Sequence, residues 1–242
     1  MVAGAGVPVA KHGNKAASSL SGSSEVLQAL GVKLNISPAQ ISRCIRECGV
    51  GFMFAANHHR AVANVAPARQ SIGIRTIFNV IGPLSNPASA TRQLMGVYDR
   101  KLIVPIAQVM QKLGVTRAWV VAGADGLDEL TTTGPTYVGQ LIDGAVTEMT
   151  ISPEDAGLPL TDASALKGGT PPENAIAIES LLTGAPGAFR DITLLNAAAA
   201  LLIAEQATTL IDGVALAKKS IDSGAARSAL DGLIRLSNTS EA

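Results

Sequence analysis

The sequence predicts an α/β fold: a central mixed sheet flanked by helices, with an all-helical C-terminal tail. Three observations carry this. Short apolar runs alternate with helical periodicity through the first part of the chain. Residues 191–237 are rich in Ala, Leu and Ile at helical spacing. Only 3% of residues are aromatic in a chain that is 47% hydrophobic, so the core has to be built from Ala, Val, Ile and Leu. No internal repeat is visible and no linker divides the chain, so residues 1–242 read as one domain.

Val7-Pro8-Val9-Ala10 reads as a short buried strand entering a polar loop over residues 11–24. Val26, Leu27 and Leu30 follow at helical spacing and stop at Gly31. Ser37-Pro38-Ala39-Gln40 supplies a cap hydroxyl, a proline at the first helical position and Gln at the third. The helix it opens carries Ile41, Cys44, Ile45 and Cys48 on one side, and residues 50–55 read as the next strand. His58-His59-Arg60 opens another helical region, whereas residues 73–87 are too rich in turn residues for one regular element. Residues 102–113 look helical with Pro105 in the first turn, and Ala118-Trp119-Val120-Val121-Ala122 is an apolar strand ending in Gly123-Ala124-Asp125-Gly126. Residues 137–151 form a hairpin around Asp143-Gly144. Thr170-Pro171-Pro172-Glu173 is a second capping box, opening a helix that Gly184 closes. The helical tail is expected to break near Asp212-Gly213 and Ser223-Gly224.

Lys+Arg 19 balances Asp+Glu 19, so no charge footprint suggests nucleic acid or an anionic membrane as partner. Two cysteines, four residues apart with no His beside them, are neither a disulfide scaffold nor a zinc site. Residues 1–6 have no basic region or apolar core of a signal peptide. The most apolar stretch, residues 197–204, is too short to cross a bilayer. The expected location is cytoplasmic.

Candidate chemistry concentrates in two places. Residues 11–24 hold two Lys, two Gly, an Asn and five Ser between a strand and a helix. Glycines let the backbone approach a ligand, and hydroxyls and N–H groups donate to anionic oxygens. The spacing is not that of a Walker loop, and a solvated Ser/Gly loop is the plain alternative. Asp128-Glu129 follows the Trp119 strand. Adjacent carboxylates repel unless a cation shares them, and Mg²⁺ with phosphate oxygens is the usual arrangement; a solvated turn is the alternative. His58-His59, with Arg60, Arg69 and Arg75 beyond, read as contact or surface groups.

Lys11-His12-Gly13-Asn14, Ser18-Ser19, Ser21-Gly22-Ser23 and residues 26–31 resemble the signature loop of the anthranilate phosphoribosyltransferases. The likeness continues through residues 51–55, His58-His59, residues 65–69 and 73–79, Gly82-Pro83-Leu84-Ser85-Asn86-Pro87, Gly126-Leu127-Asp128-Glu129 and Arg190-Asp191-Ile192, in family order. The resemblance implies transfer of a phosphoribosyl group from 5-phosphoribosyl 1-diphosphate to the amine of anthranilate, in tryptophan biosynthesis. It implies that Lys11, His12, Gly13, Asn14, Lys15, Ala16, Ala17, Ser18, Ser19 and Ser23 meet the phosphoribosyl diphosphate. It further implies that His12, Asn14, His59, Arg69, Gly82 and Pro83 face anthranilate, and that Asp128 and Glu129 ligate Mg²⁺. No acid or base is implied, since leaving-group stabilisation carries the reaction.

Two departures are single residues: Lys15 stands where the family usually has Arg, and Leu20 where a basic residue is common. The larger one lies at the start. The family places most of a small helical domain, a Gly-Thr-Gly-Gly-Asp loop and an Asn-Ile-Ser-Thr segment before the Lys-His-Gly-Asn loop. Asn35-Ile36-Ser37-Pro38 only mimics the last and reads as a helix cap. The expectation is a C-terminal part of the family's chain, with an unpaired strand edge and weak or absent catalysis alone. The resemblance implies a homodimeric family, with its dimerising helical domain expected to be largely missing here. The rival readings are a pyrimidine nucleoside phosphorylase-like enzyme and an inert fragment that needs a partner segment.

Overall fold

The computed structural model describes residues 1–14, 20–58 and 78–239. They fall into two compact units. In the unit made of Pro8–Ser89, Gly168–Ile178 and Ser228–Ala242, strand β1 (Val9–Gly13) pairs in parallel with β2 (Val50–Phe54), Lys11 opposite Phe52 and Gly13 opposite Phe54. Helices α1 (Ser23–Ala29) and α2 (Pro38–Cys48) make the crossover a parallel pair requires. Ser37 caps α2 as its sequence foretold, its Oγ accepting the Gln40 N–H at 3.1 Å. The Gln40 side chain is used elsewhere, its Nε2 donating to the carbonyls of Leu236, Ser237 and Thr239. Short helices α3 (Ala55–His58) and α4 (Phe78–Leu84) follow. Ile41, Cys44, Phe52 and Met53 meet Leu233 and Leu236 in this unit's core. Backbones approach closely there: a Cβ on Gly51 would lie 2.6 Å from Ile45 Cγ1.

The other unit, Met1–Val7, Ala90–Lys167 and Glu179–Arg227, holds a four-stranded mixed sheet. Its strands are β3 (Arg92–Gly96), β4 (Arg117–Gly123), β5 (Thr136–Ile142) and β6 (Ala145–Ile151), in that order. The β3–β4 pair is parallel and the other two pairs are antiparallel. Asp143 (φ 48°) and Gly144 (φ 81°) turn the β5–β6 hairpin, both in the left-handed region that a two-residue turn favours. Helix α5 (Ile103–Lys112) lies on one face, where Gly139 leaves room for Ile103. Gln140, next in the strand and so on the opposite face, shares its surroundings with Leu202 and Ile203 of α7 (Ala188–Ile203). Helix α8 (Leu210–Asp222) packs on α7. Helices α6 (Pro171–Leu182) and α9 (Ala225–Asn238) each contribute residues to both units. Among the described residues no helix is long and apolar enough to cross a membrane.

The α/β class and the helical tail match the expectation; several boundaries differ. The first strand reaches Gly13, so Lys11, His12 and Gly13 stand in β1 rather than in a loop, because β2 offers ladder partners that far. The turn-rich run contains helix α4, with Gly82 and Pro83 in its last turn, where such residues end a helix rather than forbid it. Asp212-Gly213 does not break the tail. Thr209 caps α8, accepting the Asp212 N–H at 3.1 Å, and the break falls at Glu205 (φ 60°) instead. Gly213 serves contact: a Cβ there would sit 2.8 Å from Ala198 Cα. Strand β3 was not foreseen, since Arg92-Gln93-Leu94-Met95-Gly96 has neither alternation nor an apolar run.

Candidate active site

The end of β1 is crowded. A Cβ on Gly13 would lie 3.0 Å from two atoms of the Phe52 ring and 3.1 Å from Ser23 Oγ. That absence of a side chain brings Ser23, the first residue of α1, against the strand. Around it the backbone is fixed by side chains. Gly22 N–H donates to Glu25 Oε2 at 2.8 Å, and buried Ser24 donates its hydroxyl to the Asn14 carbonyl at 3.1 Å. Ser21 Oγ accepts from Asn174 Nδ2 at 2.6 Å, and the same Asn174 accepts the Gly169 N–H at 2.9 Å. Asn86 Nδ2 donates to the Ala10 carbonyl at 3.2 Å, tying the segment after α4 to the same strand. Lys11 and Asn14 are exposed at this end, and His12 is half-buried. Lys15, Ala16, Ala17, Ser18, Ser19, His59 and Arg69 lie outside the described residues. Leu20 is 76% exposed, which suits a position where the family favours a basic side chain.

In the other unit, Asp128 and Glu129 are exposed on the loop leaving β4. The loop closes on itself through Gly123 N–H to the Leu127 carbonyl at 2.8 Å. Asp125 organises the turn: Oδ1 accepts the Leu127 N–H at 3.1 Å, and Oδ2 accepts the hydroxyls of Thr131 (2.6 Å) and Thr133 (2.7 Å). Burial pushes the Asp125 carboxyl up, but these bonds outweigh it and hold the group below its ordinary value. On the far side, Asn196 of α7 grips Leu130 twice, accepting its N–H at 3.1 Å and donating to its carbonyl at 2.8 Å. Gly96 at the end of β3 lets the loop pass, since a Cβ there would fall 1.5 Å from the Asp128 carbonyl oxygen.

The chain matches the family described as "Glycosyl transferase family, a/b domain" over residues 1–227. It is 57% identical over 238 residues to the anthranilate phosphoribosyltransferase of Rhodopseudomonas palustris strain BisB18, covering 98% of this chain and 70% of that one. The anthranilate phosphoribosyltransferase of Azorhizobium caulinodans is also 57% identical, over 97% of this chain and 68% of its own. The chain belongs to the anthranilate phosphoribosyltransferase family. Its fold agrees: the family member from Thermus thermophilus superposes with a TM-score of 0.92 at 40% identity, over 98% of this chain and 71% of that one. The Saccharomyces cerevisiae enzyme, solved in complex with PRPP and Mg, gives 0.88 at 27% identity, over 98% of this chain and 67% of that one.

An anthranilate phosphoribosyltransferase works on a polyanion, and the donor set of the β4 exit loop suits the ion such a substrate brings. Mg²⁺ binds through one or two carboxylates and keeps its other positions for water and phosphate oxygens. Two adjacent, exposed carboxylates on a pinned loop fit that demand. Among the described residues no group of three His, Cys, Asp or Glu could hold a metal. A cavity of about 380 Å³ exists in the same unit, but it opens at the Arg117 end of β4, beside Trp119 and Gln140. The acidic pair follows the other end of that strand, about 20 Å away at strand rise. Neither the β1 terminus nor the acidic pair lines this cavity. Asn174, Asn86, Asp125, Asn196 and Gly96 were not singled out from sequence, because each supports a residue distant in the chain or sits in what reads as an ordinary turn.

Proposed function

We propose that this member of the family carries out phosphoribosyl transfer to anthranilate, in tryptophan biosynthesis, with its described site residues in the following roles. Lys11, His12, Gly13, Asn14 and Ser23 receive the phosphate groups of 5-phosphoribosyl 1-diphosphate, together with Lys15, Ala16, Ala17, Ser18 and Ser19. His12 and Asn14 also face anthranilate, along with His59, Arg69, Gly82 and Pro83; a guanidinium such as Arg69 pairs a carboxylate through two parallel N–H donors. The single observation that carries this is the side-chain-free Gly13, whose tight contacts set Ser23 beside the end of β1.

Asp128 and Glu129 would hold Mg²⁺, which would supply positive charge to offset that of a diphosphate. Lys11 adds positive charge at the β1 end, while backbone N–H groups and hydroxyls there supply fixed dipoles. Anthranilate's weakly basic amine needs positioning rather than deprotonation, which accounts for a site with no assigned base. The reading extends to a cytoplasmic location.

Titration calorimetry with 5-phosphoribosyl 1-diphosphate tests the roles. The expected result is binding heat that depends on Mg²⁺, falls at least tenfold in affinity on Asp128→Asn with Glu129→Gln, and disappears with a chelator. Binding indifferent to both would refute the metal assignment.

A further inference from the structure

Asp128 and Glu129 stand on an exposed loop, and two metal ligands act together only if their backbone is held. The structure holds it at both ends. Upstream, Asp125 spends its carboxylate on the loop itself, with one oxygen on the Leu127 N–H and the other on the Thr131 and Thr133 hydroxyls. Those threonines lie beyond the acidic pair, so a single side chain laces the start of the loop to its end. The Thr131 N–H is in turn donated to Thr136 Oγ1 at 3.0 Å, within the buried opening of β5. Downstream, Asn196 satisfies both backbone groups of Leu130, the residue after Glu129, and also donates to the Ile192 carbonyl of its own helix at 2.9 Å.

We infer that Asp125 and Asn196 are positioning residues that set the two carboxylates for the metal, Asp125 from the β4 side and Asn196 from helix α7. Neither is a ligand in this assignment. Asp125 is committed to three donors within its own loop, and Asn196 offers its amide to backbone. The inference rests on the reading of Asp128 and Glu129 as the Mg²⁺ ligands. It adds where their geometry comes from: an acidic residue of the turn before them acts as a brace.

The test uses the full chain with Mn²⁺ and inorganic diphosphate as probe, read by water-proton relaxation, with circular dichroism as the check of folding. Asp125→Ala removes all three bonds and should weaken Mn²⁺ binding at least tenfold in a folded protein. Asp125→Asn keeps the side chain's size, an oxygen for the Leu127 N–H, and an amide that the rotatable threonine hydroxyls can accept. It should recover binding to within about threefold of the parent. Equal loss in Asp125→Ala and Asp125→Asn would overturn the inference, because it would mean that the charge itself ligates the ion. Unchanged binding in a folded Asp125→Ala would overturn it as well. Should Asp125→Ala fail to fold, Asn196→Ala carries the question: a tenfold loss supports the brace and parental affinity refutes it. Asp128→Asn separates the two levels. If it leaves Mn²⁺ binding intact, the ligand reading fails and the brace falls with it. If it abolishes binding while the Asp125 and Asn196 variants do not, only the brace is wrong.

Discussion

Gly96→Ala is the sharpest perturbation this fold offers. The added methyl would lie 1.5 Å from the Asp128 carbonyl oxygen, 2.4 Å from its carbon and 3.2 Å from its Cα. Ordinary non-bonded contact needs more than about 3 Å, so either β3 or the acidic loop has to shift by about 1.5–2 Å. Moving β3 disturbs its ladder with β4, where Gly96 stands opposite Val121. Moving the loop strains the Gly123–Leu127, Leu127–Asp125 and Leu130–Asn196 hydrogen bonds. Each is worth about 1 kcal/mol net, so either route costs about 1–4 kcal/mol, in the range of overpacking elsewhere. At roughly 2–4 °C per kcal/mol for a chain of this size, thermal unfolding followed by circular dichroism should drop by several degrees. Because the loop is exposed, it is the element expected to yield. Metal binding should then fall more steeply than stability, at least tenfold by Mn²⁺ relaxation. A melting temperature within about 1 °C of the parent, with metal affinity intact, would refute the claim that this glycine makes room for the acidic loop.

Gly213→Ala tests the contact between α7 and α8. Its methyl would meet Ala198 Cα at 2.8 Å and Ala198 Cβ and O at 2.9 Å; a loss of about 1–3 kcal/mol in a denaturant titration is expected. Gly134→Ala, which meets nothing within 4 Å, should be close to neutral. Gln40→Leu strands the carbonyls at the end of α9 that Nε2 now serves and should lower stability by about 1–3 kcal/mol; an unchanged melting temperature would show that those carbonyls find water at no cost. The depressed carboxyl of Asp125 contributes stability that is present above its ordinary value near pH 4 and lost as pH falls through its lower folded value. Asp125→Asn should therefore flatten the acid limb of a stability–pH curve measured between about pH 2 and 5. A limb of parental steepness would mean that other carboxylates carry the acid response.

Some of this molecule was readable from sequence because the responsible interactions are local. Ser37-Pro38 capped its helix, Thr170 paired with Glu173, whose carboxylate accepts its N–H and hydroxyl at 2.7 Å each, and Asp143-Gly144 turned its hairpin. Each needs only neighbours within a few residues, so the chain alone decides it. The acidic pair and the Lys11–Ser23 segment are proposed as a site on residue type, because their chemistry suits a polyanion and its cation. What the chain could not declare is where contacts between distant residues override local preference. Lys11 and His12 extend a strand because β2 lies alongside. Gly213 is a contact point rather than a helix break because Ala198 presses on it. The acidic loop is tied to α7 by Asn196, 66 residues beyond Leu130. These depend on distances between backbones that only the assembled layers set, and a one-dimensional pattern carries no term for them.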